Sequence, residues 1–242
     1  MTFAELDGEE STPRMPWTVL AFLAAPVVIV SAILGLFYTA NVLLSGALPN
    51  EEARSSAFAI AILANHLIVF AALIAVLGRN GETLADIGWT GRLTSGFVLG
   101  QFTVAALVAG ALLVFRFAVF DPARALIEGS SPDFVLNFDP GLIGPGEYVR
   151  IVVMMFLAFV GDSLYRGYAI PRLAGAWGLI AAVLVSAGFY ALVHLGRGTL
   201  EDIVFAFLGG ILLGVLFLTL ARERLWGLAA GHALYNAVSW AL

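Results

Sequence analysis

Apolar residues in this chain come in long runs broken by short polar turns, and those runs define its elements. The first extends from about Trp17 to Leu44, the second over about 55–78, and the third from about Gly96 to Phe120. Four more lie near 148–175, 178–195, 201–221 and 225–242. About 20 apolar helical residues, rising about 1.5 Å each, cross the hydrocarbon of a bilayer. Each run therefore reads as a transmembrane helix, the last one at the lower limit of length. The pattern predicts an all-α, polytopic transmembrane helical bundle of about seven spans.

Composition agrees with that reading. The 242 residues are 61% hydrophobic and 12% charged, with mean hydropathy +0.97, whereas soluble domains carry about 25% charged residues. Cysteine is absent, which excludes disulfides and thiol catalysis. All 12 basic residues are arginine, which excludes a lysine Schiff base or a Ser–Lys dyad. That lysine deficit, with 26 glycines, suggests a high-GC bacterial genome and hence the bacterial cytoplasmic membrane. Net charge is −5 with no basic cluster, so nucleic acid is excluded as a partner and membrane lipid is the expected one.

The runs divide the chain into four parts. Residues 1–15 form an acidic tail expected to be disordered. Residues 16–120 hold the N-terminal transmembrane helices, 121–147 form a polar loop, and 148–242 form a second transmembrane core. The stretch 79–95 is expected at the interface, with Trp89 and Arg92 as anchors. Gly210/Gly214 and Gly227/Gly231 have the spacing that lets membrane helices approach closely.

An ionisable group inside a span is a candidate for function, because its burial in hydrocarbon is costly. In the front half, Asn65-His66 reads as a hydrogen bond to a neighbouring helix, and Arg116 as a side chain reaching for the headgroups. The back half is richer. Asp162 and Arg166 stand four apart on one helix face and can pair. His232 and Asn236 are also four apart, and His194 ends the preceding run. Asp162 lies fifteen residues before Trp177 and His194 seventeen after it. With a turn at Trp177 both sit roughly 23–26 Å along their helices and face each other. These residues suggest a polar cavity, open to three readings: a hydrogen-bonded network fixing helix order, a proton or ion pathway, or hydrolytic chemistry.

The same residues form three short motifs: Gly161-Asp162-Ser163-Leu164-Tyr165-Arg166, then Tyr190-Ala191-Leu192-Val193-His194, then His232-Ala233-Leu234-Tyr235-Asn236. In order and spacing they resemble the CAAX-type prenyl protease and bacteriocin-processing, abortive-infection-like family of intramembrane metalloproteases. Its signatures are E-E-x-x-x-R, F-x-x-x-H and H-x-x-x-N. The resemblance covers about residues 145–242. It implies an intramembrane metalloendopeptidase acting on membrane-associated or prenylated peptides, with Asp162, Arg166, His194, His232 and Asn236 as the catalytic set. It also implies a divalent metal such as zinc on His194 and His232.

The chain departs from the pattern at its first glutamate, where Gly161 has no side chain. Asp162 stands at the second glutamate and Tyr190 at the phenylalanine. These changes imply an alternative, a degenerate pseudoprotease that binds a peptide or lipid-like partner without cutting it. A proton or ion translocator using Asp162 and His194 as a relay is a further alternative.

Overall fold

The computed structural model describes residues 16–90, 94–129, 145–197, 199–222 and 224–241. The expected tail 1–15, the anchor Arg92 and the part of the polar loop from 130 to 144 lie outside the described residues. Every regular element among those described is helical.

Helix α1 spans Pro16–Ser45 and α2 spans Glu51–Arg79. The Asn50 side chain starts α2 by accepting the Ala53 N–H at 2.8 Å, one of the donors a helix start leaves unpaired. Thr94 caps α3 (Ser95–Val114) in the same way, at 3.2 Å to the Phe97 N–H. The expected break at Phe120 does not occur. A π-helical segment, Phe115–Phe120, leads directly into α4 (Asp121–Glu128), so the apolar helix runs unbroken over 34 residues. The two charged residues at that join pair with each other. Arg116 Nε donates to Asp121 Oδ2 at 3.2 Å, and its guanidinium lies over the Phe205 ring at 5.1 Å. Arg116 is thus tied to its own helix and to Phe205 while part of its side chain stays exposed.

Helix α5 (Pro145–Asp162), a π-helical segment (Ser163–Ala169) and α6 (Ile170–Leu192) are continuous, and Val152–Leu195 is one apolar stretch of 44 residues. It is folded back at Gly178, whose φ of 80° and ψ of 164° are ready only to a residue without a Cβ. The turn falls one residue beyond the Trp177 expected from the sequence. Two further helices complete the chain, α7 (Leu200–Leu216) and α8 (Leu225–Ala241). Thr199 caps α7 by accepting the Asp202 N–H at 3.1 Å.

Among the described residues, five stretches are long and apolar enough to cross a membrane: Trp17–Ser45, Ser56–Arg79, Ser95–Glu128, Val152–Leu195 and Leu200–Ala221. This differs from the expected count of about seven for two reasons. The hairpin at Gly178 is one continuous stretch, and α8, at 17 residues, is shorter than the about 20 a span needs.

Helix α8 sits against α3 and α5, with Leu225 and Leu228 fully buried. Its glycines permit the approach. A Cβ on Gly227 would lie 2.7 Å from Val104 Cβ, and one on Gly231 would lie 2.5 Å from Ala105 O. Gly210 and Gly214 do the same for α7 on α6, where Cβ atoms would meet Ala187 at 3.1 Å and Val183 at 2.9 Å.

A short strap crosses one end of the bundle. Glu82 Oε2 accepts from Arg172 Nη2 at 2.6 Å, and a 3-10 turn follows over Leu84–Ile87. Thr83 donates to Asp86 from both its backbone and its hydroxyl, which holds the Asp86 carboxyl below the ordinary carboxylate range. Ile87 O rests where a side chain on Gly167 would be, and Gly88 O accepts the Leu225 N–H at 3.2 Å. Trp89 is not an interfacial anchor. It is 8% exposed, packs between Phe159 and Trp226, and donates from Nε1 to Ser163 Oγ at 2.9 Å. His66 also differs from expectation, since its Nδ1 bonds Ile62 O of its own helix at 2.7 Å.

The glycine contacts generate a stability prediction. Gly231→Ala drives a methyl into α3 and is expected to destabilise by about 1–3 kcal/mol. Gly110→Ala meets nothing within 4 Å and is expected to be neutral or stabilising by up to about 1 kcal/mol. Melting of both variants in detergent checks this; equal shifts would mean that α3 and α8 are not in close contact.

Candidate functional site

Three of the five candidate side chains meet at one point. Asp162, the last residue of α5, is 0% exposed. Its Oδ1 lies 3.3 Å from Arg166 Nη1, and its Oδ2 lies 3.1 Å from His232 Nδ1. Arg166 is 1% exposed and His232 5%. The carboxylate and guanidinium carry opposite charges, and the imidazole completes the cluster.

The backbone that carries them is the π-helical segment Ser163–Ala169. A π turn disrupts the regular carbonyl ladder, and such turns recur at functional sites. Several polar groups around it find partners, while the Tyr165 hydroxyl is buried without a hydrogen bond among the described residues. Ser186 Oγ donates to Tyr165 O at 2.6 Å, which joins the two arms of the hairpin. Ser163 Oγ donates to Phe159 O at 2.6 Å and accepts from Trp89. Arg166 Nη2 reaches Gly210 O on α7 at 3.5 Å, where the absence of a side chain on Gly210 leaves the carbonyl open to it.

Aromatic rings close the site. The Arg166 guanidinium lies over the Tyr190 ring at 4.4 Å and near the Tyr165 ring at 5.9 Å. A cation over a ring face gains from the ring quadrupole, most where water is excluded. The Tyr190 hydroxyl lies 3.4 Å from His232 Nε2.

The other two candidates stand further out. His194 is partly buried, bonds Tyr190 O through Nδ1 at 3.0 Å, and meets the Tyr190 ring edge-on at 5.0 Å. It touches the cluster through Tyr190. Asn236 is partly buried one turn beyond His232 and joins no hydrogen bond of the cluster among the described residues. Tyr165, Ser163, Ser186 and Trp89 build the site without having been singled out for it, and Tyr190, marked in the sequence only as the residue at the motif's phenylalanine, joins them. Ser163 adjoins Asp162 in the chain, but nothing local marks Trp89, which is 74 residues from its partner.

A metal would need donors that this arrangement does not gather. Catalytic zinc takes about three protein ligands, commonly His, Cys, Asp or Glu. No group of three such side chains converges among the described residues. The one carboxylate present is occupied by Arg166 and His232. The donor set does not fit a three-ligand catalytic zinc.

The buried pair has a measurable consequence. Asp162→Ala leaves Arg166 buried and uncompensated, an expected loss of about 3–5 kcal/mol. His66→Ala removes a bond within one helix and is expected to cost about 1 kcal/mol. Melting in detergent checks this; equal losses would mean that the Asp162 carboxylate reaches water.

Comparison with known proteins bears on the same segment. No curated protein and no solved structure matches the chain. Residues 146–238, which hold all three motifs, match the family model described as "Type II CAAX prenyl endopeptidase Rce1-like". The motifs and the family model agree, and this helical, multi-pass membrane protein is CAAX-protease-like in its C-terminal core.

Proposed function

We propose that this chain uses a CAAX-protease-like core to bind a membrane-associated or prenylated peptide without hydrolysing it. The observation that carries the reading is the state of Asp162. It is fully buried, one oxygen faces Arg166 and the other faces His232. A general base must reach the proton it removes, and this carboxylate is already engaged by Arg166 on one side and by His232 on the other. The neighbouring position, where the resemblance implies a glutamate, is Gly161. A Cβ built there meets nothing within 4 Å, so the side chain is missing while space for its first atom remains. An apolar groove of about 430 Å³ between α6 and α7 supports binding of an apolar segment; Val185, Phe189, Ile203 and Phe207 are among its walls.

One contact favours hydrolysis as a second reading. Asp162 orients the His232 imidazole through Nδ1, the arrangement by which a carboxylate prepares a histidine to take a proton. In that reading His232 is the base and Asp162 its support.

A paired cleavage assay separates the two. The unmodified protein is expected to leave membrane-embedded and prenylated peptides intact. Gly161→Glu is expected to raise cleavage by roughly 10²–10⁴-fold, the usual worth of a positioned base. Cleavage by the unmodified protein, abolished in Asp162→Asn, would replace the binding reading with the hydrolytic one. Metal content gives a separate test. Zinc is expected to be lost on dialysis against a chelator, and stoichiometric zinc that survives dialysis but is absent from His194→Ala would refute the weak-metal expectation.

A further inference from the structure

His232 has two ring nitrogens, and each faces a partner. Nδ1 lies 3.1 Å from Asp162 Oδ2, and Nε2 lies 3.4 Å from the Tyr190 hydroxyl. An ionised carboxylate can only accept, so in the neutral imidazole the proton sits on Nδ1 and Nε2 keeps its lone pair. The phenol facing that lone pair is then the donor.

We propose that Tyr190 is a built-in occluding residue: its hydroxyl takes the one nitrogen of His232 that could accept a proton from water or bind a metal. The inference rests on the non-hydrolytic reading above and adds a second obstruction to the missing side chain at Gly161. Because both changes bear on one site, filling position 161 alone restores only part of the chemistry.

Tyr190 is held in this place from several sides. The Arg166 guanidinium covers its ring at 4.4 Å, and the Tyr165 ring meets it edge-on at 5.5 Å. Its carbonyl accepts from or faces His194 Nδ1 at 3.0 Å, while the His194 ring stands at 5.0 Å from its own. The His232 ring lies 6.3 Å away on the same residue. The phenol therefore borders both histidines, the pair that a shared metal would have to bring together. The cation that neutralises Asp162 also fixes the ring that covers His232, so the occlusion is part of the charge cluster itself. Phenylalanine fills the same volume and keeps the ring contacts, so the hydroxyl can be removed alone.

The test uses the full chain in detergent micelles with ¹⁵N-labelled histidine. There are three histidines, and His→Gln variants assign them. In the unmodified protein His232 is expected as the Nδ1–H tautomer, with its Nε2 resonance upfield of an unbonded ring nitrogen. Tyr190→Phe should move that resonance downfield while leaving Nδ1 of His232 and both signals of His66 in place. An Nε2 resonance unchanged by Tyr190→Phe, or an Nε2–H tautomer in the unmodified protein, would overturn the proposal.

Activity supplies the second arm. In the Gly161→Glu background, Tyr190→Phe is expected to raise cleavage at least about tenfold further, a change of about 1.4 kcal/mol in barrier. Equal cleavage in the single and double variants overturns the occlusion and leaves the missing-base reading standing. A double variant that cleaves where Gly161→Glu does not supports the occlusion. If neither cleaves, the missing-base reading fails, and the ring-nitrogen signals alone decide whether Tyr190 holds Nε2.

Discussion

A carboxylate with no exposed surface, set among apolar helices, constrains most of what surrounds it. Leaving Asp162 unpaired in that environment would cost several kcal/mol, so a cation has to be brought to it. Arg166, one turn along, supplies the charge but carries five donors of its own. Those donors require a carbonyl on α7, reached at Gly210, and an aromatic face on α6, supplied by Tyr190. The second Asp162 oxygen requires a donor on α8, supplied by His232. Charge neutralisation thus links α5, α6, α7 and α8 at one depth.

That convergence needs backbones to come close, and the small residues make it possible. Gly227 and Gly231 let α8 rest on α3, which holds His232 toward Asp162. Gly210 and Gly214 let α7 rest on α6, which places the Gly210 carbonyl within reach of Arg166. The π-helical segment then sets the rotation of the residues between Asp162 and α6, and the strap through Trp89 and Ile87 presses on it from one end. Packing and charge therefore depend on each other: the helices that exclude water from Asp162 are also the ones that bring Arg166 and His232 to it.

The likeness to type II CAAX prenyl endopeptidases lies in residues 146–238, and the sequence departs from the family's motifs at Gly161 and Tyr190. Gly161 removes a carboxylate without disturbing the helix, since nothing else occupies the space. Tyr190 adds a hydroxyl within reach of the imidazole that the scaffold presents. Both changes leave the hairpin, the glycine contacts and the Asp162–Arg166 pair intact.

Much of this was legible in the sequence because it depends on local quantities. Transfer of a run of side chains into hydrocarbon depends on that run alone, so the apolar segments, the helical class and the turn near Trp177 follow from composition and periodicity. The pairing of Asp162 with Arg166 follows from a spacing of four on one helix. The glycine spacings announce close contacts, although not the helices they contact. The tertiary structure alone decided which histidine meets Asp162, because that depends on the rotation of α6 and α8 about their axes. Depth along the hairpin placed His194 opposite the carboxylate, yet His194 turns to its own helix and His232, 70 residues from Asp162, takes the place. The same holds for Trp89, whose indole finds its acceptor 74 residues away and so is buried instead of anchoring an interface. Such contacts are long-range, and the free energy that selects them belongs to the packed set of helices and to no single segment.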